Sequence, residues 1–145
     1  MKISTRVEYG LIALTDIVIY GENGVSVSAP DISKRQNISH KYLEHILLLL
    51  RQAGFITAQK GQKGGYVLAC SPEEVPMSDV INALDNNILG SSEAKEEGGL
   101  GPVINDCFWD RINGNLYRYL EGMKLSDFAN QCRSRIPGDW DLYII

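Results

Sequence analysis

The chain has 145 residues, 44% hydrophobic and 22% charged, the composition of an ordinary globular protein of one domain, or of a small domain with an extension. Its longest uninterrupted apolar run, Ile46 to Leu50, falls far short of the ~20 residues a membrane span needs, and Asp16 interrupts the only apolar stretch near the start. Neither a membrane span nor a signal peptide is expected, so the expected compartment is the cytoplasm. Three widely spaced cysteines, Cys70, Cys107 and Cys132, argue against a disulfide framework.

The net charge of −4 conceals an asymmetry. Residues 1–70 carry 8 Lys and Arg against 5 Asp and Glu, whereas residues 71–145 carry 6 against 13. A basic front and an acidic back suggest a polyanion-binding half joined to a half with another task.

Ser4 or Thr5 is placed to cap a helix to about Tyr20, with Val7, Leu11, Leu14 and Val18 along one stripe. Gly21 to Gly24 reads as a turn and Val25 to Val27 as a minor strand. Ser28 caps a second short helix with Pro30 in its first turn, and Asn37 stops it. Ser39 opens a third helix to about Ala53, with Leu43, Ile46, Leu47 and Leu50 inward and Gly54 as its C-terminal cap. Two such helices joined by a short turn have the spacing of a helix-turn-helix. Phe55 to Gln59 and Tyr66 to Cys70 then form a β-hairpin around the basic, glycine-rich loop Lys60 to Gly65. The fold class expected is therefore mainly α with a small β-hairpin: a winged helix-turn-helix domain over 1–89.

Ser78-Asp79 starts a further helix to about Asn86. Residues 90–102, with Glu93, Glu96, Glu97 and four glycines, read as a flexible acidic linker. Val103 to Met123 reads as a long helix in which Phe108, Ile112, Leu116, Tyr119, Leu120 and Met123 recur at helical spacing. Gly114 is the point at which it is expected to depart from a straight rod. Its stripe suits either a helix-pair dimer or packing back onto its own domain. Ser126 caps a short last helix to about 132, and 133–145 form a tail.

A recognition helix needs short polar or basic side chains at its N-terminal end, because that end enters the major groove. Ser39, His40, Lys41 and Tyr42 stand there, followed one turn on by Glu44 and His45. Ser39 and the free first-turn amides suit a phosphate, Lys41 a phosphate or guanine, and Glu44 the amino group of cytosine. In the hairpin loop, Gly61, Gly64 and Gly65 allow close backbone approach while Lys60 and Lys63 neutralise phosphate charge. Lys34 and Arg35 add to the phosphate contacts. The competing class is a protein-interaction module on the same scaffold, in which DNA is no longer read.

No Gly-x-Ser-x-Gly, phosphate loop or His-Glu-x-x-His occurs, so no enzyme is expected and no catalytic residue is assigned. The cysteines lack zinc-site spacing, so no metal ligand is assigned and all three are expected as small buried hydrophobes.

Met1-Lys2-Ile3-Ser4-Thr5, Tyr9-Gly10, Ala13-Leu14, Ile38-Ser39, Tyr42-Leu43-Glu44, Leu50-Arg51, Ala53-Gly54, Gly61 and Gly64-Gly65-Tyr66 together resemble the Rrf-two family of bacterial winged-helix regulators. The resemblance is close over 1–89 and weaker through Trp109 and Leu125-Ser126-Asp127. It implies a homodimeric transcription regulator, a repressor, on a partly palindromic double-stranded DNA operator. It also implies the long helix at the dimer interface, base readout by Ser39, Lys41, Tyr42 and Glu44, and a minor-groove wing at Lys60 and Gly61. The family usually has Arg where Lys60 stands, and lysine keeps the charge but loses the planar fork.

Family members with an iron–sulfur cluster hold it with three linker cysteines. Aligned on Trp109, one such pattern would place ligands at Val103 and Asp106, and the segment from Gly90 to Asp106 contains no cysteine. Glu8 stands where some members place an acidic ligand, and Cys107 is the one thiol nearby. No cofactor is therefore expected. The resemblance then points to a cluster-free branch that controls cysteine and sulfur metabolism through an enzyme of cysteine synthesis. The signal is left open between such a partner, a small-molecule effector and a thiol oxidant.

Overall fold

The computed structural model describes residues 3–86 and 98–137. Most of the expected linker, residues 90–97, and most of the tail, residues 138–145, lie outside them, as do Met1 and Lys2. Helix α1 spans Thr5–Tyr20 and is capped by the Ser4 hydroxyl, which accepts from the Val7 amide. Helix α2 spans Ala29–Gln36, with Ser28 as its cap and Asn37 in the left-handed conformation that ends it. Helix α3 spans His40–Gln52. Strands β1 (Ile56–Gln59) and β2 (Gly65–Leu68) pair antiparallel, with Ile56 opposite Leu68 and Gln59 opposite Gly65. The expected minor strand is one bridge, Val27 to Tyr66.

Helix α4 spans Met77–Leu84. Ser78 does not cap it: the residue lies inside the first turn, and its buried hydroxyl finds no partner among the described residues. The long helix starts at Leu100, three residues before the expected point, as α5 (Leu100–Ile104). It winds through a wide π-type turn at Asn105–Trp109 and continues as α6 (Asp110–Glu121). Its irregularity therefore lies at the wide turn and not at Gly114. Met123 falls beyond its end. Helix α7 spans Leu125–Arg133. Its start is held by Asp127, whose carboxylate accepts from the Lys124 amide at 3.3 Å, and not by Ser126.

One apolar cluster joins these elements. Leu14 and Ile17 of α1, Ile32 of α2, Leu43, Ile46, Leu47 and Leu50 of α3, Val80 of α4 and Leu125 of α7 all lie in it. Gly10 lets α1 approach α4 closely, because a Cβ there would stand 2.4 Å from a Leu84 methyl. The C-terminal half closes back on the front half: the Met77 amide donates to the Met123 carbonyl and the Leu125 amide to the Val75 carbonyl, each at 2.8 Å.

The cysteines depart from expectation. Cys107 is exposed, and Cys70 and Cys132 are only half-buried. Burial still pushes both of the latter thiols above the ordinary range, which keeps them protonated at neutral pH.

Candidate nucleic-acid interface

Helix α3 is two-sided. Leu43, Ile46, Leu47 and Leu50 are fully buried, while His40, Lys41, Glu44 and His45 are exposed. The Ser39 hydroxyl accepts from the Tyr42 amide at 3.3 Å, and the Ser39 carbonyl accepts the first intrahelical bond from Leu43. The amides of His40 and Lys41 are left as open donors at the tip among the described residues, where the helix dipole favours an anion. The Ser39 hydroxyl keeps its own proton to donate. His40 Nε2 and Glu44 Oε1 stand 3.4 Å apart on the solvent side, so Glu44 is already oriented along the exposed face.

The turn before α3 is fixed from within. The Ser33 hydroxyl donates to the Ile38 carbonyl at 2.5 Å and the Ile38 amide donates to the Ser33 carbonyl. Tyr42 is half-buried, its ring edge-on to Tyr9 at 5.3 Å between centroids. The ring thus braces the helix start against α1, at a residue for which the family resemblance implies base readout.

The hairpin loop carries Lys60 and Lys63, both exposed. Gly61 sits at φ +121°, a conformation side chains rarely adopt. Gly65 runs against the segment before α2, since a Cβ there would meet the Val27 carbonyl oxygen at 2.5 Å. The Ser26 hydroxyl donates to the Lys63 carbonyl at 2.5 Å, so the wing is tied to the chain entering the helix-turn-helix.

Two basic residues expected side by side on phosphate are separated by the structure. Lys34 is exposed and without an ion pair among the described residues. Arg35 is turned inward: its Nε and Nη2 each donate to Asp16 at 2.9 Å, and its guanidinium lies 4.1 Å from the Tyr20 ring centroid. The hydrogen bond and charge of Asp16 hold this guanidinium above its ordinary range. Gln36 Nε2 also donates to Asp16, at 2.8 Å. The sequence pattern alone does not lay out this Asp16 network. Its one signal is a carboxylate among apolar residues about one turn from the end of α1, a position that demands a partner.

The stripe expected on the long helix divides. Leu120 and Met123 pack against the chain's own core and Leu116 is half-buried. Phe108, Ile112 and Tyr119 are exposed, Phe108 at 53% and Tyr119 at 65%, together with Val103, Ile104, Trp109 and Tyr117.

A helix-turn-helix followed by a tied, basic hairpin, with an exposed polar recognition face, defines a winged-helix DNA-binding transcription regulator. A family model described as "Rrf2: Iron-dependent Transcriptional regulator" matches residues 3–131, and the chain belongs to that family. It is 39% identical to Protein rrf2 of Nitratidesulfovibrio vulgaris over 131 residues, covering 88% of this chain and 86% of that one. It is 32% identical to the HTH-type transcriptional regulator IscR of Cereibacter sphaeroides, again covering 88% and 86%. Among solved structures, CymR (YrzC), the global cysteine regulator of B. subtilis, superimposes with a TM-score of 0.77 at 29% identity, covering 90% of this chain and 98% of that one. IscR of T. potens does so with 0.74 at 25% identity, covering 99% and 97%. The family is one of transcription regulators and not of enzymes.

The residues present do not fit an iron–sulfur cluster held by three thiolates. Residues 87–97 contain neither cysteine nor histidine, and among the described residues no group of three His, Cys, Asp or Glu could hold a metal ion. No helix among the described residues is long and apolar enough to cross a membrane.

Proposed function

We propose that the protein is a cytoplasmic, homodimeric repressor that reads a partly palindromic operator. The observation that carries this reading is the two-sided α3, its apolar face buried and its polar tip open beside a tethered basic wing. The tip enters the major groove, where Lys41 and Glu44 contact base edges and Ser39, with the His40 and Lys41 amides, holds phosphate. His40 and His45 flank that contact. Lys60, Lys63 and Gly61 follow the minor groove, and Lys34 supplies a phosphate contact from α2. Arg35 contributes through the fold and not at the groove, because Asp16 occupies its fork.

The exposed face of the long helix, with Phe108 in its wide turn and Ile112 and Tyr119 on α6, is the surface on which a second copy pairs, while Leu120, Met123 and half-buried Leu116 support it from the inside. Two copies related by a two-fold axis present two reading helices to half-sites about 34 Å apart.

The test is to select bound fragments from the source genome with the purified protein and sequence them. Enrichment of a shared inverted repeat upstream of a few genes is expected. Absence of enrichment, with purified protein and again in cell extract, would overturn the reading in favour of an interaction module.

A further inference from the structure

We propose that the cavity between α1, α2 and α7 is the regulator's effector site and takes a small, uncharged amphipathic molecule. Only the output of this site rests on the DNA-binding reading above. The cavity measures about 500 Å³, inside the range of about 300–1,000 Å³ typical of small-molecule sites. Leu11, Ile12 and Ile19 of α1 and Phe128 of α7 supply an apolar wall. The polar end is the Asp16 network, whose carboxylate is wholly buried.

That network decides the ligand's charge. Asp16 accepts from Arg35 Nε and Nη2 and from Gln36 Nε2, so its charge is already neutralised by one guanidinium. A carboxylate ligand would bring a second anion beside the buried Asp16 carboxylate to the same single cation, and repulsion would disfavour it. An ammonium ligand would meet Arg35 in the same way. Two kinds of group stay open among the described residues: donors on Arg35, at Nη1 and the second Nη2 hydrogen, and an acceptor, Gln36 Oε1. A hydroxyl or a primary amide on an apolar body satisfies both.

The position also supplies the output. Arg35 and Gln36 lie in the last turn of α2, the helix that precedes the reading helix, and Ile32 and Ile38 bury α2 and its turn in the common core. A ligand head that exchanges hydrogen bonds with Arg35 or Gln36 alters how α1 holds α2, and α3 moves with α2.

The full chain is titrated with 4-propylphenol and hexanamide, and separately with 4-propylbenzoate and hexanoate, while NMR follows Ile12, Phe128 and Gln36. The uncharged probes are expected to shift these signals, to bind at least tenfold tighter than their carboxylate counterparts, and to change affinity for the selected DNA at least threefold. Ile12→Trp, which fills the cavity from its rim, is expected to abolish the shifts while its melting curve shows a folded protein. Equal binding of the carboxylates, no binding of the uncharged probes, or binding retained in Ile12→Trp would overturn the site. If the protein selects no DNA, the regulator reading fails on its own. In that case shifts of the Ser39 to Lys41 amides on probe binding still report transmission, and their absence overturns the effector role. Unchanged DNA affinity on probe binding overturns it as well. Repeating the titration above the concentration of self-association is expected to leave binding intact. Loss there would mean that a second copy fills the cavity, and would overturn the proposal.

Discussion

Removing the Asp16 carboxylate and removing the Arg35 guanidinium break the same ion pair, yet the two losses differ. Arg35 is 33% exposed, so without Asp16 its charge turns to water, and Asp16→Ala should cost about 1 kcal/mol. Asp16 is 0% exposed, so Arg35→Ala strands a buried anion on Gln36 alone and should cost about 3 kcal/mol. Chemical denaturation of the two variants checks this order, and equal losses would count against it. At the DNA surface, Lys60→Ala should weaken operator and random DNA alike and flatten the salt dependence by about one unit. Glu44→Ala should instead relax base preference by about 1–3 kcal/mol at one position with the salt slope nearly unchanged. Binding isotherms over a salt series separate the two. At this scale the sequence was legible on the solvent side: Ser39, His40, Lys41, Glu44, His45, Lys60 and Lys63 lie where their polarity placed them. It was not legible for Arg35 and Tyr42, because nothing local to α2 or α3 says that α1 offers a buried carboxylate and an aromatic ring across the core.

Single elements obey their caps and their close approaches. The hairpin depends on Gly65, where any side chain meets the backbone oxygen of Val27. Gly65→Ala should force β2 away from the Val27 bridge, cost about 2 kcal/mol, and weaken DNA binding with α3 unchanged. A thermal melt and a binding titration on the same preparation check it, and undisturbed affinity would count against the tethered wing. Helices α1, α2 and α3 were legible nearly to the residue because Ser4, Ser28 and Ser39 cap them, with Asn37 ending α2. Ser78 and Ser126 misled for a physical reason. A serine near a helix start is a cap only if the chain enters there, and at both places it enters two residues earlier, at Pro76 and at Lys124.

For the whole molecule, the return of the C-terminal half matters more than the boundary suggested by the glycine-rich segment. Leu125 is fully buried in the common core, and α7 is tied by backbone hydrogen bonds to the chain before α4. A fragment ending at residue 86 would leave the place of Leu125 empty, and a markedly lower melting temperature than that of the full chain is expected. A fragment as stable as the whole would contradict this. Composition could not show the closure, since the contacts join residues about fifty apart. On the opposite side, Ile112→Glu should leave the melting curve little changed and produce a monomer with at least tenfold weaker operator binding. Sedimentation and a binding titration read both.

The wide turn at Asn105–Trp109 sets the angular phase of that surface. Every residue of an α-helix turns the next by about 100°, so a turn that spends one extra residue rotates everything beyond it by that amount. Counted without a break, Ile104 would lie about 80° and Val103 about 180° from Ile112; the extra residue brings Ile104 to within about 20° of that line and Val103 to about 80°. The apolar face they make is broad and not a narrow seam, and its outline is set by winding as much as by the choice of side chains. Lengthening or shortening the chain by one residue inside this turn would redraw the outline while leaving every residue on it the same.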